Sequence, residues 1–422
     1  MLDIAGRRGY LAGMLTFLSA ILVSTASLSF PAGEDSVPVV TYSRDIAPIL
    51  QQHCQGCHRP GEIAPMSLLT FDEVKPWARA IRKAIKTGEM PPWKADPQFG
   101  KFKNDVSLSK GEVATILSWI DGGAPEGDGK DLPKPRKFIK GWNIGVPDAV
   151  FSMQEEYEVP AKGTVPYKYF VVPTGFKEDR WVTAAEVRPG AKEVVHHVII
   201  FISEPGSKGV RSSISFTNLL CGTAPGEGPD VFPPGSAKLI KAGSKLIFQC
   251  HYTPNGKKVR DRSRVGFKFA KGPVRKVYTR TALNSWFRIP PRDGNHKVTS
   301  KYVFRQDSWL FSLMAHMHLR GKSFRYDLYL PGGEKRTLLN IPSWDFNWQT
   351  HYQLEKPISI PAGSRVECTA YFDNSARNKA NPDPDRTVRW GDQTWEEMMI
   401  GYLNYVRQDE DPINPPEIEA QK

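Results

Sequence analysis

The chain has 422 residues, 40% hydrophobic and 11% aromatic, enough apolar matter for two or three cores at the usual size of about 100 to 200 residues per domain. Its formal net charge of +12 is spread along the sequence without a basic helix or an aromatic-studded basic groove, which argues against nucleic-acid binding. Gly and Pro, 35 of each, are scattered as in turn-rich β structure rather than in a helical bundle.

At the N-terminus, Arg7 and Arg8 precede an apolar run over 11–23 and the small residues Ser24, Thr25 and Ala26. That is the pattern of an export signal occupying residues 1–30, and it expects a periplasmic or secreted, oxidising location for the mature chain. The run is short for a bilayer span and no other stretch is long enough, so no membrane span is expected after cleavage.

Residues 38–127 read as helical. Ser43 is expected to cap a short helix running into Cys54-Gln55-Gly56-Cys57-His58, the CxxCH spacing through which two thioethers and an axial histidine hold c-type haem. No second CxxC or His pair lies nearby to complete a zinc tetrahedron. A second helix over 74–87 places Trp77, Ile81 and Ile85 on one face. Thr70 and Glu73 form a capping box before it, but Pro76 leaves its start open. Met90, on the Pro-rich loop 88–93, is the preferred sixth haem ligand and Met66 the alternative. In a third helix, Ser109 and Glu112 make a capping box, Val113, Ile116, Leu117 and Ile120 follow helical spacing, and Gly122 ends it. The CxxCH, the Met loop and a closing helix with Trp119 resemble a class I cytochrome c. The resemblance implies an all-α haem domain using Cys54, Cys57, His58 and Met90.

Residues 128–140, with Lys130, Lys134, Arg136, Lys137 and Lys140, read as a solvated linker, with attraction to an acidic electron-transfer partner as a second reading. Beyond it the pattern alternates with period two in short runs at 167–172, 181–187, 194–202, 245–252, 309–318 and 365–372, as in antiparallel sandwiches. Helical patterning returns only from 396 onward.

Of nine histidines, six fall in compact motifs: His58, the pair His196 and His197, His251, and His316 with His318. Period-two alternation puts His316 and His318 on one strand face, half of a metal site. Adjacent residues on a regular strand face opposite ways, so His196 and His197 share a metal only at a bulge or through different ring nitrogens. Singly, each motif reads as ordinary core or surface histidine; their company changes that.

His-His, then His-Tyr, then His-x-His, then a late Glu-Met resemble the copper type II, ascorbate-dependent monooxygenases, typified by peptidylglycine α-hydroxylating monooxygenase and dopamine β-monooxygenase, over residues 141–407. The resemblance implies two all-β, jelly-roll-like sandwich domains, 141–273 and 274–407, with 408–422 as a tail. It implies that His196, His197 and His251 hold an electron-transfer copper and that His316, His318 and Met398 hold a dioxygen-binding copper across a solvent-filled cleft. Met398 is taken over Met399 because it follows Glu397. Imidazoles suit both copper oxidation states, and a thioether favours Cu(I). Two departures stand out: Met314 occupies the position of an arginine that grips substrate carboxylate in the peptide-hydroxylating members, while Tyr402 matches a tyrosine that offers substrate a hydroxyl. A peptidylglycine substrate is therefore not expected.

The sequence thus describes a multidomain chain, an all-α cytochrome c-like domain followed by two jelly-roll-like sandwiches. The expected function is hydroxylation of a C–H bond in a small-molecule or peptide-like substrate with O2, with a periplasmic electron donor and two copper ions fed through the haem. A non-catalytic haem and copper carrier is the alternative. A zinc hydrolase lacks a Glu placed as general base. Cys221, Cys250 and Cys368 permit one disulfide at most. His53, His296 and His351 read as structural or exposed.

Overall fold

The computed structural model describes residues 39–62, 64–224 and 227–415, so the expected export signal and the end of the tail lie outside the described residues. From Val40 onward the chain forms one compact unit.

The helices are α1 (Ala47–His53), α2 (Phe71–Val74), α3 (Ala78–Lys86) and α4 (Lys110–Asp121), with a short helical turn at Val210–Ser213. Both capping boxes form. Thr70 accepts from the Glu73 N–H at 3.4 Å and Ser109 from the Glu112 N–H at 3.2 Å, each glutamate bonding back to the cap residue's N–H. Pro76 is accommodated in a 3-10 turn, Lys75–Trp77, that divides α2 from α3, because proline fits an early helical position but not an interior one. Ser43 is not a cap: it lies within the turn Tyr42–Ile46 that precedes α1, and its buried Oγ has no partner.

Four larger antiparallel sheets dominate. One orders the strands Ala149–Ser152, Arg264–Phe269, Arg180–Arg188 and Ser236–Ile240; a second orders Lys168–Pro173, Lys245–Tyr252, Val195–Ser203 and Leu219–Thr223. Between them lies a core that includes Val182, Phe267, Ile200 and Phe248. A third sheet orders Tyr278–Leu283, Ile400–Arg407, Ser308–His316 and His351–Ile360; the fourth orders His296–Val303, Arg365–Phe372, Gly321–Tyr329 and Lys335–Ile341. Their core includes Leu310, Leu313, Phe324, Val366 and Leu403. The observed strands at Lys245–Tyr252 and Arg365–Phe372 coincide with the sequence pattern. Residues 400–407, expected as helix, are instead a strand sharing eight register positions with Ser308–His316. Tyrosine, leucine and valine there alternate between a buried face and the neighbouring core, which a helix does not permit.

An all-α domain followed by two jelly-roll-like sandwiches is not what forms. The protein is mostly β, 36% strand against 13% helix, and the described residues include no large all-α N-terminal domain. The physical reason lies in the segment between α3 and α4, which leaves the helices and joins the third sheet. Lys103 N–H bonds to Gln353 O at 2.8 Å, Glu355 N–H to Lys101 O at 2.8 Å, and Phe102 bridges Leu354. Trp93, Phe102 and Tyr352 pack ring to ring at 5.0 to 5.8 Å, and Ala95 enters the second core. What the helices leave among themselves is a small cluster around Ile46, Val74, Ile116 and Trp119.

The basic segment 128–140 is no free spacer. Gln51 Nε2 donates to Lys134 O and Arg136 to Gln51 O, while the guanidinium groups of Arg59 and Arg136 sit 4.3 and 5.5 Å from the Phe138 ring. It folds back as a strap beside the CxxCH turn. Cys221, Cys250 and Cys368 are buried free thiols.

The third sheet has two different faces. Leu313, Ala315 and Leu403 fill its own core, whereas Phe311 and Val406 pack into the first core. Ser312, Met314 and His316 alternate with Leu313 and Ala315 and so face the first core, in an interface that is polar. The histidine clusters meet at one end of it.

Candidate metal centre

The first cluster depends on a bulge. Val195 pairs with Tyr252 and His197 with His251, leaving His196 as the extra residue between them. A bulge re-aims a side chain, and here it turns His196 to the side of His197. The three rings form a triangle with centroids 5.0 to 5.4 Å apart, and one ligand atom from each lies within 4.8 Å of the others. Nδ1 of His196 and Nδ1 of His197 are 3.2 Å apart. Two nitrogens about 2.0 Å from a tetrahedral ion are separated by about 3.3 Å. His196 Nε2 and His251 Nδ1 are buried without a hydrogen-bond partner. Burial pushes all three imidazoles toward the neutral, ligating form, reinforced at His197 and His251 by the neighbouring rings, with His251 at about 4. Tyr167 packs edge-on against His197 and His251. Cys250 is fully buried in the first core.

The second cluster is held differently. His316 and His318 have centroids 5.1 Å apart at 89°. His316 Nδ1 lies 2.5 Å from Gln349 Oε1, and Gln349 Nε2 donates to Phe346 O at 3.1 Å, which fixes which end of the amide faces the histidine. His318 Nδ1 lies 3.3 Å from Glu396 O. Both partners are acceptors, so each Nδ1 carries the proton and each Nε2 keeps its lone pair. Burial, then the His316 ring, lowers His318 to about 3.

The residue before Met398 is clasped to this pair. The fully buried carboxylate of Glu397 accepts from His318 N–H at 2.8 Å and Arg320 N–H at 2.6 Å, clasping 397–398 to the end of the His-x-His strand. Burial pushes its carboxyl up to about 8, against the pull of those N–H groups and the Arg320 guanidinium. Met399 is core, at 0% exposure, while Met398 is half-buried. Tyr402 and His351 are the two cross-strand partners of Met314, so all three occupy one row of the sheet.

One loop, which the sequence reading passed over, serves both clusters. Trp344 Nε1 donates to His318 O at 3.3 Å, Phe346 stacks on His196 at 5.5 Å and 8° and stands edge-on to His318 at 6.3 Å, and Gln349 orients His316. A phenyl ring therefore stands between the clusters. The only sequence signal was an aromatic- and amide-rich turn, Trp344-Asp345-Phe346-Asn347-Trp348-Gln349, beside a histidine strand.

Cys54 and Cys57 lie in the turn after α1, and His58 Nδ1 is 3.3 Å from Met66 O, which leaves its Nε2 free. The side chain of Met66 packs in the small helical cluster with Cys54, and Met90 lies on the loop leading to Trp93. Lys192, four residues before His196, donates to Glu62 at 2.8 Å and to Gly61 O at 3.2 Å, tying the CxxCH loop to the first histidine cluster. His53 joins α1 to α4 through Glu112 at 3.1 Å.

No protein-family model and no curated protein matches the chain. Among solved structures, infectious bursal disease virus, Gx strain, is 10% identical, covering 63% of this chain and 73% of that one with a TM-score of 0.18. A putative secreted protein from Eubacterium rectale is 10% identical, at 57% and 69% coverage and a TM-score of 0.19. PBCV-1 VP54, fitted into a reconstruction of the virophage Sputnik, is 8% identical, at 67% and 99% coverage and a TM-score of 0.22. Likenesses at these scores bear on neither fold nor function.

Proposed function

We propose that the chain is an extracytoplasmic copper-dependent monooxygenase that hydroxylates a C–H bond with O2, its electrons arriving through a c-type haem on Cys54, Cys57 and His58. The observation that carries this reading is the meeting of two histidine clusters at one interface, with buried imidazole nitrogens that have no protein partner. The donor sets fit copper: three imidazoles in one cluster, and two imidazoles near a thioether in the other. Bound there, copper would supply one-electron redox chemistry and O2 activation, while haem would supply a further one-electron carrier.

The protein's own part is to hold and to screen. His196, His197 and His251 present neutral nitrogens from a bulge. Gln349 and Glu396 O hold the protons on Nδ1 of His316 and His318, and Glu397 fixes Met398 beside them. Tyr402, on the same face, offers a hydroxyl to substrate, and Met314 offers no charge, which favours an apolar or amine-bearing substrate over a carboxylate. Met90 is the preferred sixth haem ligand, because the Met66 backbone stands on the His58 side of the haem motif. The Lys192–Glu62 contact supports delivery of electrons to the His196 cluster first.

The test is metal and haem analysis of periplasmically expressed protein, then substrate-dependent O2 uptake. Two copper ions and one haem per chain are expected, with His197→Ala and His318→Ala each losing one copper. Absence of copper from the wild type overturns the reading. The position of Phe346 between the clusters favours a second reading, a non-catalytic carrier, in which Met398→Ala leaves O2 uptake unchanged.

A further inference from the structure

Away from the histidine clusters, the same interface holds a line of polar side chains that the proposed oxidation does not use. Ser312 lies on the strand Ser308–His316, four residues or about 13 Å from His316. Its Oγ is 2.8 Å from His351 Nε2, and His351 Nδ1 is 3.3 Å from Asp230 Oδ1. Asn404 Nδ2 donates to Ser312 Oγ at 3.0 Å and stands 3.1 Å from His351 Nε2. Thr279 donates to Asn404 Oδ1 at 2.6 Å, which fixes the amide with its NH2 toward the serine. Asp230 is held in turn by the Gly222 N–H at 3.1 Å.

With a carboxylate at Nδ1, the imidazole keeps its proton there and presents a lone pair at Nε2 to the Ser312 hydroxyl. Nucleophile, base and orienting carboxylate are then in order, whatever their sequence positions. Two further observations separate this line from a buried hydrogen-bond knot. A cavity of about 220 Å³ is lined by Ser312, His351 and Asp230 together, with apolar walls from Phe232, Pro233 and Leu354. A β-bulge falls immediately before Ser312, at Phe311, the kind of irregularity that re-aims a side chain beside a site.

We propose that Ser312, His351 and Asp230 form a second, metal-independent active site that transfers the acyl group of a small ester to Ser312. The Oγ bonds to the acyl carbon as its proton passes to His351 Nε2. That proton leaves with the alkoxide when the ester C–O bond breaks. Water repeats the sequence, releasing a carboxylic acid and restoring the hydroxyl. Asn404 Nδ2, 3.0 Å from Ser312 Oγ, is an N–H donor at the reacting hydroxyl. Ser312 has no exposed surface in this arrangement, so the acyl group reaches it from the cavity only as the side chains of the wall give way, and the cavity's size restricts it to short chains.

The experiment uses the full chain after chelator treatment and a fluorophosphonate probe, with the adduct located by peptide mass. Wild type is expected to carry the adduct on Ser312. His351→Ala is expected to slow labelling about 100-fold, the usual scale for loss of a general base. Labelling of the wild type is expected to be equal before and after chelator treatment, which separates this site from hydrolysis at a metal. Absence of an adduct on Ser312 in the wild type overturns the proposal without any variant needing to fold, as does labelling that His351→Ala leaves unchanged.

Discussion

The two histidine clusters use the same side chain in opposite ways. At His196, His197 and His251 the backbone is adjusted: a bulge gathers the rings, which meet one another and the Tyr167 and Phe346 rings, and two of their buried nitrogens have no hydrogen bond. His316 ends its strand and His318 follows two residues beyond it, and here the surroundings are adjusted, with Gln349, Glu396 and Glu397 each fixing an atom. A histidine cluster can thus be assembled by local backbone irregularity or by outer hydrogen bonds. The first leaves ring nitrogens unpartnered, and the second fixes the rings through their outer atoms.

Removing Glu397 should break that contrast most severely. Glu397→Ala leaves the buried N–H groups of His318 and Arg320 without their acceptor, and a loss of about 3–5 kcal/mol in denaturant unfolding is expected. A smaller loss is expected from His196→Ala, because its Nε2 has no bond to forfeit and only the Nδ1 contact with His197 and the stacking on Phe346 are removed. Equal losses would show that the clusters are organised alike.

Acid titration of the metal-free protein separates them by window. His251 in the fold titrates at about 4, below the ordinary value of 6.5, so between those pH values the unfolded chain binds the extra proton and stability falls as pH falls. For His318 the window reaches to about 3. His251 alone is expected to contribute a loss on the order of 2–3 kcal/mol from pH 6.5 to 4 in thermal unfolding, so His251→Ala has a smaller pH slope. An unchanged slope would remove His251 as a contributor.

Gln349→Ala frees His316 Nδ1 and is expected to weaken copper at the second cluster by about 10- to 100-fold in competition titrations while leaving the first unchanged. The smallest effect belongs to Lys192→Ala. The ion pair with Glu62 is partly exposed, so stability should change by less than about 1 kcal/mol. Haem-to-copper electron transfer in stopped flow should nonetheless slow, and a rate equal to wild type would place the electron route elsewhere.

Several local features were legible from sequence because short-range chemistry sets them: the capping boxes at Thr70 and Ser109, the period-two strands, and the requirement that His196 and His197 share a side only at a bulge. The strand Ile400–Arg407 was misread as helix because an apolar run of that length fits either period until its neighbours are known. His351, taken as structural or exposed, stands in line with Ser312 and Asp230 only once strands far apart in the chain are side by side.

By itself the sequence determined which residue types gather in the histidine motifs, the CxxCH turn and the alternation that sorts each strand into two faces, since all of these follow from residue chemistry and backbone period. The tertiary structure alone decided that residues 101–104 pair with the strand His351–Ile360 instead of completing a helical domain, and that Phe346 and Gln349 reach both histidine clusters. Those outcomes rest on edge pairing and ring packing between segments about 250 and 150 residues apart, and no local propensity encodes which distant edge is left open.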